Sequence, residues 1–163
     1  MFMLRKSSRA VLVTITVAVI AASTATGARS ALSLSLGQPD LQAGVLITVP
    51  VTVTCSPFDP SLTFFSSSAF VSVEQASRGQ IARGTGSIGG PMSSNPIPFQ
   101  CDGTPNALSV PVLADVNGPP FHGGQAAFRA SAGAFAGISC GPGCFFNVQS
   151  QTGNVGPLIL TMH

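Results

Sequence analysis

The chain has 163 residues, of which 45% are hydrophobic and 7% charged, and it contains neither Trp nor Tyr. Its formal net charge of +2 arises from Arg5, Lys6 and Arg9, because residues 29–163 carry four arginines against five carboxylates and no lysine. Without a basic patch in residues 29–163, nucleic acid is not an expected partner. The length suits one domain with a substantial core, but hardly two.

The N-terminal segment has the pattern of an export signal. The basic stretch MFMLRKSSR precedes an uncharged run at residues 10–22, and Thr26 and Ala28 are small residues of the kind that signal peptidase accepts. We therefore predict that residues 1–28 form a signal-peptide helix that is cleaved after Ala28, and that the mature protein is secreted. The alternative is an uncleaved membrane anchor, because residues 10–28 carry no charge and approach the roughly 20 residues that span a bilayer.

The four cysteines are expected to form disulfides. Cys55, Cys101, Cys140 and Cys144 are even in number, and thiols oxidise in the compartments that exported proteins reach. The short Gly-Pro-Gly link can bring Cys140 and Cys144 together. This spacing favours a Cys140–Cys144 bridge and leaves Cys55 to pair with Cys101.

Redox and metal chemistry are the alternatives for these cysteines. A thioredoxin-type site has Cys-x-x-Cys at a helix N-terminus, whereas here three residues separate the last two cysteines and no helical pattern follows. A zinc site would need further ligands, and residues 29–163 offer only His122 and His163 besides the cysteines. We therefore expect no metal and no cofactor.

The hydrophobic pattern is that of strands. In residues 45–55, valines alternate with Thr and Pro, which predicts one face against a core and one toward water. No segment keeps apolar residues at helical spacing for three turns. Seven further β-rich runs are residues 32–36, 69–75, 96–101, 107–114, 125–131, 145–150 and 157–162.

Glycine, proline and short polar residues predict where these strands end. Residues 102–106, DGTPN, have the composition of a hairpin loop, and a turn is expected within residues 150–157. The serines at 66–68 and the Gly-rich stretch 84–94 are predicted to be loops. Residues 126–137 are predicted to be a strand that runs into a loop.

Eight short strands and two disulfides predict an all-β fold, a two-sheet antiparallel sandwich that spans residues 29–163 as a single stapled domain. This pattern resembles bacterial secreted immunoglobulin-like domains. Such a domain packs a Trp on its disulfide and has a tyrosine corner, so here phenylalanines are expected to supply the aromatic bulk. They are Phe58, Phe64, Phe65, Phe70, Phe99, Phe128, Phe135, Phe145 and Phe146.

The C-terminal stretch CGPGCFFNVQSQTGNVGPLILTMH, residues 140–163, also resembles the tail of the enediyne-binding apoproteins of the neocarzinostatin type. In that family a short disulfide loop precedes two closing strands and a Gly-Asn-Gly-Pro-like turn. The matching residues are Cys140, Cys144, Gly153, Asn154, Gly156 and Pro157. The resemblance implies an immunoglobulin-like sandwich that holds a small hydrophobic chromophore in a cleft.

Catalytic motifs match by letter but lack their structural context. GISCG around Ser139 matches the nucleophile elbow of α/β-hydrolases, yet no helical pattern follows it and no acid occurs beyond Asp115. GTGSIG, residues 84–89, lacks the helix that a dinucleotide site requires. Asp115, His122 and Ser139 stand in the subtilisin chain order, but His122 lies in a Gly/Pro-rich stretch that predicts a solvated loop.

These features together predict a secreted, non-catalytic domain that acts as an interaction or structural module outside the cell or in the cell envelope. Its expected partner is an extracellular protein or an envelope component. The alternative is a carrier of a small hydrophobic ligand, which would hold an apolar cavity between its two sheets. A small hydrolase that uses His122 and Ser139 is the least favoured possibility.

Overall fold

A computed structural model describes residues 32–90, 97–142 and 144–163. The predicted signal-peptide helix, its cleavage site and the alternative anchor all lie outside these residues. Within the described ranges there is no helix that is long and apolar enough to cross a membrane.

The described chain is all-β, as predicted, and its strands are antiparallel. The eight strands are β1 (Ser33–Leu36), β2 (Asp40–Gln42), β3 (Leu46–Thr54), β4 (Phe64–Ser77), β5 (Gln80–Gly89), β6 (Asn106–Ala114), β7 (Gly124–Gly141) and β8 (Cys144–Met162).

Hydrogen bonds connect all eight strands into one sheet, in the order β1-β3-β6-β5-β4-β7-β8, with β2 also paired to β3. The sequence predicted two separate sheets. The link that makes them continuous is short, since β5 and β6 share only two residue pairs, Gly84 with Ala114 and Thr85 with Leu113. A Cβ atom at Gly84 or Gly86 would collide with backbone carbonyl groups of β6. These two glycines therefore let β5 approach β6 closely.

The sheet curls so that its inward face encloses a single core. Strand β1 approaches β7 and β8, at the far end of the strand order. The inward positions of β3 and β6 are β-branched, those of β7 are mostly alanine, and all belong to one buried cluster. Its members from these strands and β4 include Ile47, Val49, Val51, Val53, Val71, Val73, Val110, Val112, Ala126, Phe128, Ala130, Ala132 and Ala134. Alternation therefore decides which residues are buried.

Two predicted loops are strands in the structure. The serines at 66–68 lie inside β4, with Ser67 buried and its neighbours on the outer face. Of the predicted loop at 84–94, residues 84–89 belong to β5, and residues 91–94 lie outside the described residues. The predictions for residues 66–68 and 84–89 were wrong because pairing of β4 with β5 and β7 holds these residues in the sheet despite the weak strand preference of Ser and Gly.

Other predicted boundaries also moved. Strand β7 continues to Gly141 instead of ending in a loop, and β8 runs through the predicted turn at 150–157. The turn residues are accommodated as a bulge, because Gly156 and Pro157 together lie opposite the single residue Arg129. Residues 97–101, part of a predicted strand, form no strand.

Three buried polar side chains hold loops against the sheet. Ser67, Gln75 and Gln151 are the only buried polar residues in the described part of the chain. Each hydrogen-bonds both the N–H and the C=O of one loop residue, at distances from 2.7 to 3.4 Å. The pairs are Ser67 with Phe99, Gln75 with His122, and Gln151 with Ser56. Each side chain thereby satisfies both backbone groups of its loop residue, which a neighbouring strand would otherwise do.

Both predicted disulfides are present. Cys55 and Cys101 are bonded with their Cα atoms 4.8 Å apart, and Cys140 and Cys144 with theirs 5.2 Å apart. Cys55 directly follows β3 and is buried, whereas Cys101 lies in an irregular segment instead of at the predicted strand end. The first bridge therefore ties a loop to the core, and the second closes the far end of the β7–β8 hairpin.

Candidate binding groove

A groove lies on the outer face of β4, β7 and β8. Because Ser67 and Ala69 point inward, the alternation along β4 makes Phe64, Ser66 and Ser68 point outward. The register places β7 and β8 residues beside them in rows. Ser66 pairs with Phe135, which pairs with Ser150, and Ser68 pairs with Gly133, which pairs with Thr152.

The groove encloses about 630 Å³ and is partly open to solvent. Its lining combines phenyl rings, hydroxyl groups and small residues, with no charged side chain among them. The lining residues are Phe64, Ser66, Ser67, Ser68, Gly133, Ala134, Phe135, Phe145, Ser150 and Thr152. This volume lies within the range of roughly 300–1,000 Å³ that is typical of ligand sites in proteins.

Three phenyl rings form one wall of the groove. The ring centroids of Phe64 and Phe145 are 4.6 Å apart, those of Phe135 and Phe145 are 5.4 Å apart, and those of Phe64 and Phe135 are 5.7 Å apart. Gly137 pairs with Phe64 and adds no side chain at that position, which leaves room for the rings to meet. The three rings are half-buried and support one another in edge-on and tilted contacts.

A second cavity of about 450 Å³ continues the groove along β7. The two cavities share Ser68, Gly133 and Thr152. Beyond this shared row the lining mixes polar and apolar residues, and Phe70, whose side chain is 43% exposed, lies at that end. The groove is therefore elongated, with aromatic rings at both ends and hydroxyl groups between them.

The two carboxyl groups with shifted pKa values lie in turns outside the groove. The hydroxyl and the backbone N–H of Thr104 bond Asp102 and hold the pKa of that carboxyl below its usual range. The backbone N–H and then the hydroxyl of Ser61 lower the pKa of Asp59 in the same way. Each carboxylate accepts hydrogen bonds two residues along the chain, which is the geometry that fixes an Asx turn.

The fold does not bring together Asp115, His122 and Ser139, the residues that stand in the subtilisin chain order. His122 precedes β7, and its ring nitrogens face the carbonyl oxygens of Gly123 and Ala76 at 2.8 and 3.3 Å. Ser139 lies near the opposite end of β7, about 50 Å of extended strand away. Asp115 is exposed in the turn that follows β6.

The motif segments themselves are strands. GISCG is the last part of β7, and GTGSIG is part of β5, so neither is followed by a helix. The cysteines are all bonded in pairs. Among the residues that the structure describes, no group of three His, Cys, Asp or Glu side chains could hold a metal ion.

The sequence did not predict the groove. Nine phenylalanines were predicted to fill the core, but only Phe99 and Phe128 of these nine are buried. Phe64, Phe135 and Phe145 instead lie outside, as the alternation within FFSSSAF and AGAFAG would have indicated once the inward face was known. Comparison of the chain with protein-family models, curated proteins and solved structures gives no match.

Proposed function

We propose that the protein is a secreted, non-catalytic binding module of the extracellular space or the cell envelope, and that the groove is its binding surface. The observation that carries this proposal is the uncharged cavity of about 630 Å³ beside three packed phenyl rings. Half-buried rings around an open cavity offer apolar surface to a partner.

The chemistry of the lining supports binding over catalysis. Phenyl rings, hydroxyl groups and small residues line the cavity, and neither His122 nor any carboxylate is among the lining residues. Such a lining supplies apolar contact and hydrogen bonds, whereas general acid–base chemistry uses groups that titrate near the working pH.

Two features support the remaining parts of the proposal. The two disulfides are of the kind that persists in oxidising compartments, which agrees with export directed by residues 1–28. We propose that the strands on either side of the short β5–β6 link serve as the two layers of an immunoglobulin-like sandwich. Two features support this: only two residue pairs join β5 to β6, and one buried cluster forms the core.

Binding of Nile red, an uncharged apolar dye, tests the groove. Gly133 has ordinary space for a side chain, because a Cβ atom there would lie 3.8 Å from Thr152 Cγ2 and 3.9 Å from the carbonyl oxygen of Gln151. Gly133→Leu should therefore fill the groove and weaken dye binding about tenfold, a change of about 1.4 kcal/mol.

Ser109→Leu is the matched control, since Ser109 is exposed on β6 and the substitution adds the same side chain outside the groove. We expect this variant to bind the dye as the parent protein does. Equal binding by the parent protein and Gly133→Leu would overturn the assignment of the groove.

A carrier of a small hydrophobic ligand is the second candidate. The cavity volume and the Phe64, Phe135 and Phe145 cluster favour it, although the groove lies outside the sheet and the space inside is occupied by the buried cluster. A carrier purified from its own producing cells should hold one small molecule per chain. Native mass spectrometry of the secreted protein would detect that molecule, and a bare chain mass would remove this candidate.

A further inference from the structure

The elongated groove presents three rows of side chains across β4, β7 and β8. The first row is Ser66, Phe135 and Ser150, the second is Ser68, Gly133 and Thr152, and the third is Phe70, Ser131 and Asn154. Each row includes at least two side chains that can form hydrogen bonds. Among these nine positions only Gly133 has no side chain, and it lies in the row that the two cavities share.

The ends of the groove differ from its middle. The Phe64, Phe135 and Phe145 cluster lies at one end and Phe70 at the other, and residues 64 to 70 of an extended strand span about 20 Å. A cavity of this length that is open along one side fits a chain molecule better than a compact one.

The hydrogen-bonding groups in the groove match hydroxyl-rich ligands. Ser and Thr hydroxyls both donate and accept, so they complement ligand hydroxyls in either role. The phenyl faces supply the apolar surface against which the C–H faces of sugar rings can pack.

The lack of charge in the groove favours a neutral chain molecule over an acidic one. No charged side chain lines either cavity. The nearest row beyond Phe70 pairs Ser72 with Arg129, and Arg129 is exposed and outside both linings. A chain that bears carboxylate or sulfate groups would lose hydration in the groove without gaining a partner charge.

We propose that the groove binds a neutral polysaccharide, with the chain lying along β7 and sugar rings resting on the phenylalanines at each end. This inference rests on the proposed function, because it names the ligand class of the same groove.

Affinity electrophoresis of the secreted protein tests the inference. Native gels would contain one soluble polymer each: the neutral polymers hydroxyethylcellulose, mannan, dextran and amylose, and the acidic polymers alginate and polygalacturonate. We expect at least one neutral polymer to retard the protein, and the acidic ones to leave its migration unchanged. Retardation by no neutral polymer, or equally by the acidic ones, would overturn the inference.

Two variants locate the binding. Gly133→Leu should abolish the retardation, and Thr152→Val, which keeps the shape but removes a hydroxyl, should weaken it about fivefold, while Ser109→Leu should not change it. Retardation that survives Gly133→Leu would place the polymer elsewhere and contradict the inference.

The dye measurement separates the two proposals. If Nile red binds in the groove but no polymer retards the protein, the proposed binding function stands and the proposed polysaccharide ligand is wrong. Retardation by hydrolysed casein in place of the polymers would point to extended peptides as the ligand. If neither the dye nor any polymer binds, both the proposed binding function and the proposed ligand are wrong.

Discussion

The side-chain amide of Gln151 bonds both backbone groups of Ser56, which is 95 residues away in the chain. Its Nε2 donates to the Ser56 carbonyl oxygen at 2.7 Å, and its Oε1 accepts from the Ser56 N–H at 3.1 Å. Gln151 is 2% exposed, so its buried amide depends on Ser56 for these hydrogen bonds. The glutamine thereby fixes the chain just after Cys55 against β8, and Ser56 needs no partner strand.

Replacement of Gln151 by Leu should destabilise the protein, because the N–H and the C=O of Ser56 would lose the side chain that binds both of them. We expect a loss of about 2–4 kcal/mol in the free energy of unfolding, measured by urea denaturation. Gln125→Leu is the control, since Gln125 is exposed on β7, and it should change stability by less than about 0.5 kcal/mol. Equal stability of the two variants would show that the bonds to Ser56 contribute little.

The two disulfides should differ in their contribution to stability. The Cys55–Cys101 bridge closes a loop of 46 residues and lies against the core, whereas the Cys140–Cys144 bridge spans a separation of 4. Replacing Cys55 and Cys101 by Ala should therefore cost about 2–5 kcal/mol, and replacing Cys140 and Cys144 should cost less. Thermal unfolding of the two double variants under the same conditions compares them. A larger loss from the Cys140–Cys144 pair would contradict the ranking.

Acid should weaken the turns that Asp59 and Asp102 stabilise. The pKa of each carboxyl is lower in the folded protein than its usual value, so the folded state binds fewer protons than the unfolded state near these pKa values. Their contribution is fully present above about pH 5 and is lost as the pH falls through the lowered pKa values.

The Asp102 part of this prediction can be measured by NMR titration of its side-chain carboxyl carbon. Thr104→Val removes the hydroxyl that is the largest cause of the shift, so the pKa of Asp102 should rise toward its usual range in that variant. The titration of Asp59, whose partner is Ser61, serves as the internal control and should not move. An unchanged Asp102 titration in the variant would assign the shift to another cause.

The close approach of β5 and β6 should depend on glycine. A Cβ atom at Gly86 would meet the carbonyl group of Pro111, so Gly86→Ala must push the two strands apart. We expect a loss of about 1–3 kcal/mol in stability from this overpacking. Gly133→Ala is the matched control, because its added methyl group has ordinary space and should leave stability within about 1 kcal/mol of the parent value. Both variants can be compared by urea denaturation, and equal values would argue against a tight β5–β6 contact.

The features that the sequence predicted are those that short segments determine. Alternation of valine and threonine in residues 45–55 depends only on the pleat of a strand, and it identified β3. The pairing of Cys140 with Cys144 was favoured by the short, flexible link that can bring the two residues together, and this left Cys55 to pair with Cys101. The all-β class follows from the same local signals.

The features that escaped prediction depend on residues far apart in the chain. Whether Ser67 or Ser66 faces the core is decided by the register with β5 and β7, and the phenylalanines of the groove follow the same register. The burial of Gln151 requires Ser56, and that of Gln75 requires His122, which lies 47 residues away. Because local composition carries no information on these distant partners, segments rich in Ser and Gly were predicted to be loops although they are paired in the sheet.

The most direct test of the binding groove is a map of backbone amide shifts in two-dimensional NMR spectra, recorded as the protein is titrated with the neutral polymer that retards it most, or with Nile red. Binding in the groove should concentrate the shifts in residues 64–70 of β4, 131–135 of β7 and 145–154 of β8, the segments that supply the lining of the two cavities. Shifts that concentrate instead in β3 and β6, on the other side of the core, would contradict it.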